Sequence, residues 1–176
     1  MQVNTEYDSD EEFYFAAYLS ELVTAGIVRS YCRHEPLELA PSVRVGKGVL
    51  HRAQVYTPDF LIEWEPKHKH LERFFSLIED PSKTPFKGFE RDGKLVSVIE
   101  IKGGFIAKDE GRMYGILAKW AWQVFKIYVQ RIAISTKPKD LFDKTFTPVS
   151  YLLTKATHKP RKLHYSPIIL REFLER

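Results

Sequence analysis

Asp59, Glu100 and Lys102 are the residues of this chain whose types and spacing could do chemistry together. Asp59 follows Pro58 at the head of the run Phe60-Leu-Ile-Glu-Trp64. A proline cannot donate to a central ladder, so the strand is expected to begin near Asp59. Glu100 and Lys102 lie near the end of Leu95-Val-Ser-Val-Ile-Glu-Ile-Lys102. Alternation puts both on one face with Val96 and Val98, opposite Ser97, Ile99 and Ile101. Two carboxylates converging at one end of adjacent strands supply the oxygen ligands that Mg²⁺ prefers, with Mn²⁺ as the expected substitute and the Ile101 carbonyl completing the shell. An ammonium two residues beyond Glu100 stands where it can orient an attacking water or offset developing negative charge. Hydrolysis of a phosphodiester needs just those provisions: neutralised phosphoryl oxygens and a water made nucleophilic near neutral pH.

The elements that must position these groups are legible to different degrees. Asp8 and Ser9 are good N-cap residues, and the apolar spacing that follows predicts a helix over 10–25, stopped by Gly26. Phe15, Ala16, Leu19, Leu22 and Val23 form its inward stripe, which Glu12 extends; Glu11 sits about a hundred degrees round and is expected in solvent. Glu12 is thus a third carboxylate for the site, holding a second ion or its water. Three segments each place a charge where burial demands an apolar side chain, and a shared cation would offset that cost.

Short extended pieces are expected over 28–32 and 42–45, and the polar stretch 65–94 reads as an insertion with a possible helix over 71–79. Gly103-Gly104 should stop the motif strand. A helix over 111–125, a strand over 127–135 and a short helix over 167–174 complete a mixed α/β order. Tyr114, Trp120, Trp122 and Phe125 recur at helical spacing among apolar partners and are expected in the core. His68 and His70 lack neighbouring carboxylates or thiols at ligand spacing and read as loop histidines.

A chain of 176 residues, 44% hydrophobic and 28% charged, fits a single domain over 1–176, and no apolar run approaches a membrane span. The acidic start, from Glu6 to Glu12, is unlike a secretory signal, and the lone Cys32 excludes an intrachain disulfide and a multi-thiolate zinc site. A cytoplasmic location is expected. The 137–176 segment is the cationic part, and Lys155, Lys159, Arg161 and Lys162, near Tyr165, are candidates for phosphate neutralisation on a nucleic acid. No Gly-Lys-Ser/Thr pattern marks a nucleoside-triphosphate loop.

Pro58-Asp59 and Glu100-Ile101-Lys102 match the motif of the PD-(D/E)xK nuclease superfamily, which the chain resembles over about 7–135. The order Tyr7-Asp-Ser9, Glu12, Tyr56-Thr-Pro-Asp-Phe60 and Ile99-Glu-Ile-Lys-Gly103 is similar to small phage-type endonucleases, including resolvases of branched DNA, and to transposase-associated endonuclease subunits. The resemblance implies a restriction-endonuclease-like core, a central mixed sheet flanked by helices. It further implies a Mg²⁺-dependent endonuclease cutting DNA, with branched DNA as a candidate substrate, in a phage-infected host's cytoplasm, as a homodimer or beside a recombination or transposition partner. In similar nucleases a basic residue on the helix after the motif strand faces the site, which here points to Lys119. The separation of 41 positions between Asp59 and Glu100 is a departure, a longer gap than the family leads one to expect. Two alternatives stand beside this reading: a nucleic-acid-binding module of nuclease fold without activity of its own, and a nuclease subunit active only within a larger complex.

Overall fold

The computed structural model describes residues 7–80, 82–102 and 108–176, with side chains in the last span from Met113 onward. The Gly103-Gly104 stop lies outside these residues. Helix α1 (Asp10–Thr24) starts where the Ser9 hydroxyl accepts the Glu12 amide at 3.1 Å, and Asp10, Glu11 and Glu12 complement the helix dipole. It ends in a paired cap around Gly26 (φ +73°). The Gly26 amide donates to Val23 and the Ile27 amide to Leu22, a turn that needs a left-handed residue. The inward stripe is as expected, Glu12 included, except that Val23 is exposed.

Ten strands follow from the chain's β-branched and aromatic runs: β1 (Val28–Arg33), β2 (Leu37–Ala40), β3 (Val43–Val45), β4 (Gly48–His51), β5 (Gln54–Tyr56), β6 (Phe60–Trp64), β7 (Phe75–Leu77), β8 (Phe86–Arg91), β9 (Lys94–Lys102) and β10 (Val129–Ala133). Six of them form one mixed sheet in the order β1-β6-β9-β8-β7, with β10 also paired to β9. β1/β6, β6/β9 and β8/β9 are antiparallel; β7/β8 and β9/β10 are parallel. β2 pairs with β5, and β3 with β4 in an exposed hairpin.

Helices lie on both faces, so the architecture is α/β with a central mixed sheet flanked by helices. α1 covers one face through Phe15, Leu19 and Leu22, packed with Phe60, Ile62, Ile99 and the short helix α3 (Leu141–Lys144). The other face carries Val96, Val98 and Val129 beneath α2 (Lys108–Phe125). β9 therefore alternates as its sequence demands. The last helix, α4 (Leu170–Glu175), begins three residues later than the pattern predicts. No helix is long and apolar enough, among the described residues, to cross a membrane.

The 65–94 stretch differs most from expectation. In place of a helix over 71–79 there is one 3₁₀ turn at Leu71–Arg73, and then β7 and β8 join the sheet. Phe74, Phe75, Phe86 and Phe89 are buried, and their burial stabilises the extended pairing over local helix propensity. β8 and β9 are joined by Asp92-Gly93, both at positive φ, the two-residue turn whose twist matches a hairpin.

β9 thus has β6 along one side. Its other side is shared in succession, by β8 over Lys94–Val96 and by β10 over Val98–Lys102. At this fork the Gln130 side chain acts as a substitute peptide: its Oε1 accepts the Lys87 amide at 2.7 Å and its Nε2 donates to the Pro85 carbonyl at 2.6 Å.

Candidate functional site

The register Phe60↔Ile99, continued by one pair, sets Asp59 across from Glu100 at one end of the β6/β9 ladder, on the same face. The two strands are held in that register by apolar pairs beneath α1 and α2, and by the buried Trp64 indole donating to Ser97 at 2.9 Å. Asp59 Oδ2 accepts the Ile101 amide at 2.6 Å, and Glu100 Oε2 accepts the Tyr56 hydroxyl at 2.9 Å. Ile101 therefore touches Asp59 through its N–H. Lys102 ends β9 and is exposed, two residues from Glu100 on the same strand face.

Glu12 reaches the same region from α1. It is buried, its Oε2 lies 3.1 Å from Arg33 Nη2, and its Oε1 accepts the Ser9 hydroxyl. Arg33 pairs with Phe60 in the β1/β6 ladder, which places its guanidinium beside the start of β6 and 4.2 Å from the Tyr7 ring. His34, at φ +55°, donates its amide to the Asp59 carbonyl. Its Nε2 lies 3.6 Å from Asp8 Oδ2 and 3.8 Å from Glu12 Oε2. Asp8, Glu12 and His34 bring one potential ligand atom each within 4.8 Å of one another.

The electrostatics agree with this crowding of acids. Burial pushes Asp59 up to about 6, with Glu12 and Asp8 adding to the rise and the Ile101 amide and His34 opposing it. Burial likewise pushes Glu100 up to about 7, and Asp59 is the next contributor, against the Tyr56 hydroxyl and Arg131. The Tyr56 hydroxyl is held above its ordinary range by burial and by Glu100. Among the described residues neither Asp59 nor Glu100 has a cation within ion-pair distance. Two neighbouring carboxylates, both raised by burial and Glu100 further by Asp59, with no ion-pair partner among the described residues, are a donor set that fits a hard divalent ion.

The other sequence candidates lie elsewhere. Lys119 is exposed in a groove with Ile78, Trp122 and Tyr128, and among the described residues of α2 it is Tyr114 that interacts with Glu100. Trp122 and Phe125, expected in the core, are 42% and 41% exposed, whereas Ala121 of the same helix is fully buried. Of the basic segment, Lys155 pairs with Asp10 at 2.8 Å. Arg161 donates to the Tyr14 hydroxyl and the Tyr151 carbonyl and stacks on both rings, a packing role in place of a surface one. Lys159 and Lys162 are exposed.

Asp8, His34, Tyr56 and Arg131 also lie at the site, though the sequence marks none of them as a site residue. Each is brought there by strand pairing or by the approach of α1, which no local spacing announces. Compared with known proteins, the chain matches no family model, no curated protein and no solved structure.

Proposed function

We propose that this chain is a Mg²⁺-dependent endodeoxyribonuclease of the PD-(D/E)xK kind, built on a restriction-endonuclease-like core and acting on branched or otherwise structured DNA. The observation that carries the reading is the placement of Asp59 directly across from Glu100, with Lys102 on the same face and Glu12 entering from α1.

Asp59 and Glu100 would hold the ion, which when bound supplies charge neutralisation at the phosphoryl group and a more acidic water. The chain's own residues do the rest. The Ile101 amide fixes the Asp59 carboxylate. The Tyr56 hydroxyl does the same for Glu100, leaving Oε1 outside that bond. Lys102, exposed at the strand end, is placed to orient the attacking water and to offset the charge that develops on the phosphoryl oxygens. Glu12, carried by α1 and anchored to the sheet through Arg33 of β1, extends the acidic wall.

The test is incubation with supercoiled, linear, single-stranded and four-way-junction DNA in Mg²⁺, Mn²⁺ or chelator, beside Asp59→Asn and Lys102→Ala. Metal-dependent products from the parent protein that disappear in both variants support the reading; binding with no products under any metal condition removes it. A second reading, a nuclease subunit that cuts within a recombination or transposition assembly, is favoured by the exposed apolar side chains of α2, Met113, Ile116, Trp122 and Phe125. Cleavage that appears only when a partner protein is added distinguishes it.

A further inference from the structure

Arg131 is paired with Glu100 across the parallel β9/β10 ladder, so its side chain leaves the sheet on the face that carries Glu100. There the guanidinium lies over the Tyr114 ring, 4.9 Å from its centroid. That ring is itself held by a 3.0 Å hydrogen bond from its hydroxyl to the Val129 carbonyl. The aromatic face steadies the cation but offers its N–H groups no acceptor in their plane.

Arg131 Nε is buried and makes no hydrogen bond, and among the described residues no carboxylate lies within ion-pair distance of the group. A buried donor on a fixed guanidinium is expensive to leave unmatched, and native proteins seldom do so without an outside acceptor. The planar fork of donors suits the oxygens of a phosphate, and the place is beside the carboxylate pair, where a phosphoryl group would arrive.

We infer that Arg131 is an oxyanion-binding residue, seated on Tyr114 and taking a non-bridging oxygen of a phosphodiester next to Glu100. Its assignment to a phosphodiester rests on the nuclease reading; the unmatched donor does not. A merely structural arginine would hold Tyr114 and Glu100 in place and leave anion affinity unchanged.

The experiment follows side-chain Nε–Hε resonances of ¹⁵N-labelled protein while inorganic phosphate is added, with Mg²⁺ and separately with chelator, and with chloride as the ionic-strength control. The Arg131 signal is identified by its loss in Arg131→Lys. A saturable downfield shift specific to phosphate is expected. Phosphate affinity, followed at the Ile132 amide, should fall about tenfold or more in Arg131→Gln and less in Arg131→Lys.

No saturable shift in either condition overturns the inference, as does an affinity that Arg131→Gln leaves unchanged. Should Arg131→Gln fail to fold, Arg131→Lys, which keeps the charge but loses the fork, carries the comparison. DNA cleavage is scored separately. A phosphate response without cleavage supports the inference and counts against the nuclease; cleavage at unchanged kcat/KM in Arg131→Gln, with no phosphate response, does the reverse.

Discussion

Ile101 donates its amide hydrogen to Asp59 Oδ2 at 2.6 Å, so the residue between the motif's Glu100 and Lys102 is bonded to the motif's Asp59. The donor is backbone and survives any side-chain replacement on β9. Asparagine at 59 can accept the same bond, which makes Asp59→Asn a change of charge with little change of shape.

Asp59→Asn should abolish cleavage while stabilising the metal-free protein at alkaline pH. The folded state raises this carboxyl to about 6 from an ordinary 3.8, so folding holds its proton more tightly than unfolding does. Stability from this group is therefore full below about pH 4, declines as pH rises through 6, and is lost above 7. The gain from asparagine should be about 1 kcal/mol at pH 8 after allowance for solvent screening, roughly 3 °C in Tm, and should vanish near pH 4. Thermal unfolding of both proteins in chelator across that range measures it. An equal gain at both ends would show that charge is not the cause.

Divalent ions should stabilise the protein in a pH-dependent way. Binding has to displace the protons that Asp59 and Glu100 hold up to about 6 and 7, so millimolar Mg²⁺ should raise Tm clearly at pH 8 and little at pH 5. The shift should disappear in Asp59→Asn. A Mg²⁺ response that persists in that variant would move the ion to another cluster, such as Asp8, Glu12 and His34.

Two glycine substitutions check the packing, one in the 65–94 stretch and one in α2. A Cβ on Gly88 would fall 2.1 Å from Phe75 Cε2 and 2.5 Å from the Val96 carbonyl oxygen, so Gly88→Ala should destabilise by about 3 kcal/mol in urea denaturation. Gly115, inside α2, has no atom of the described residues outside its own helix backbone within 4 Å of the same added atom, and Gly115→Ala should stabilise by about 0.5–1 kcal/mol. A tolerated Gly88→Ala would mean that β7 and β8 do not pack on β9 as described.

The basic segment should divide by role. Arg161→Ala removes two hydrogen bonds and two ring contacts and should cost about 2 kcal/mol of stability. Lys159→Ala and Lys162→Ala should leave stability within about 0.5 kcal/mol. If both lysines meet DNA phosphates, each replacement lowers the slope of log affinity against log salt by about 0.9. Slopes equal to that of the parent protein would assign these lysines to bulk surface.

Legibility in the sequence followed how local each cause was. β9 was readable because its β-branched run alternates faces, and Glu12 because a helical stripe has a fixed phase. The 65–94 segment was not, since its buried phenylalanines are diluted by polar neighbours; yet Arg91-Asp92-Gly93-Lys94 is a hairpin signature that marks β8. Trp122 and Phe125 misled because an aromatic at helical spacing ordinarily signals core, whereas here α2 turns them outward. Arg131 could not be found locally at all: only the β9/β10 register brings it to Glu100.

The fork at β9 also accounts for the long separation between Asp59 and Glu100. β8, with β7 beyond it, attaches along the first half of β9, whereas Asp59, Glu100 and Arg131 gather at its far half, where β6 and β10 set the spacing. Chain added between Trp64 and Lys94 therefore widens the sheet like an extra leaf on a table, and the working end keeps its dimensions. That arm is free to change length or acquire a contact of its own while the carboxylates at the opposite end stay in register.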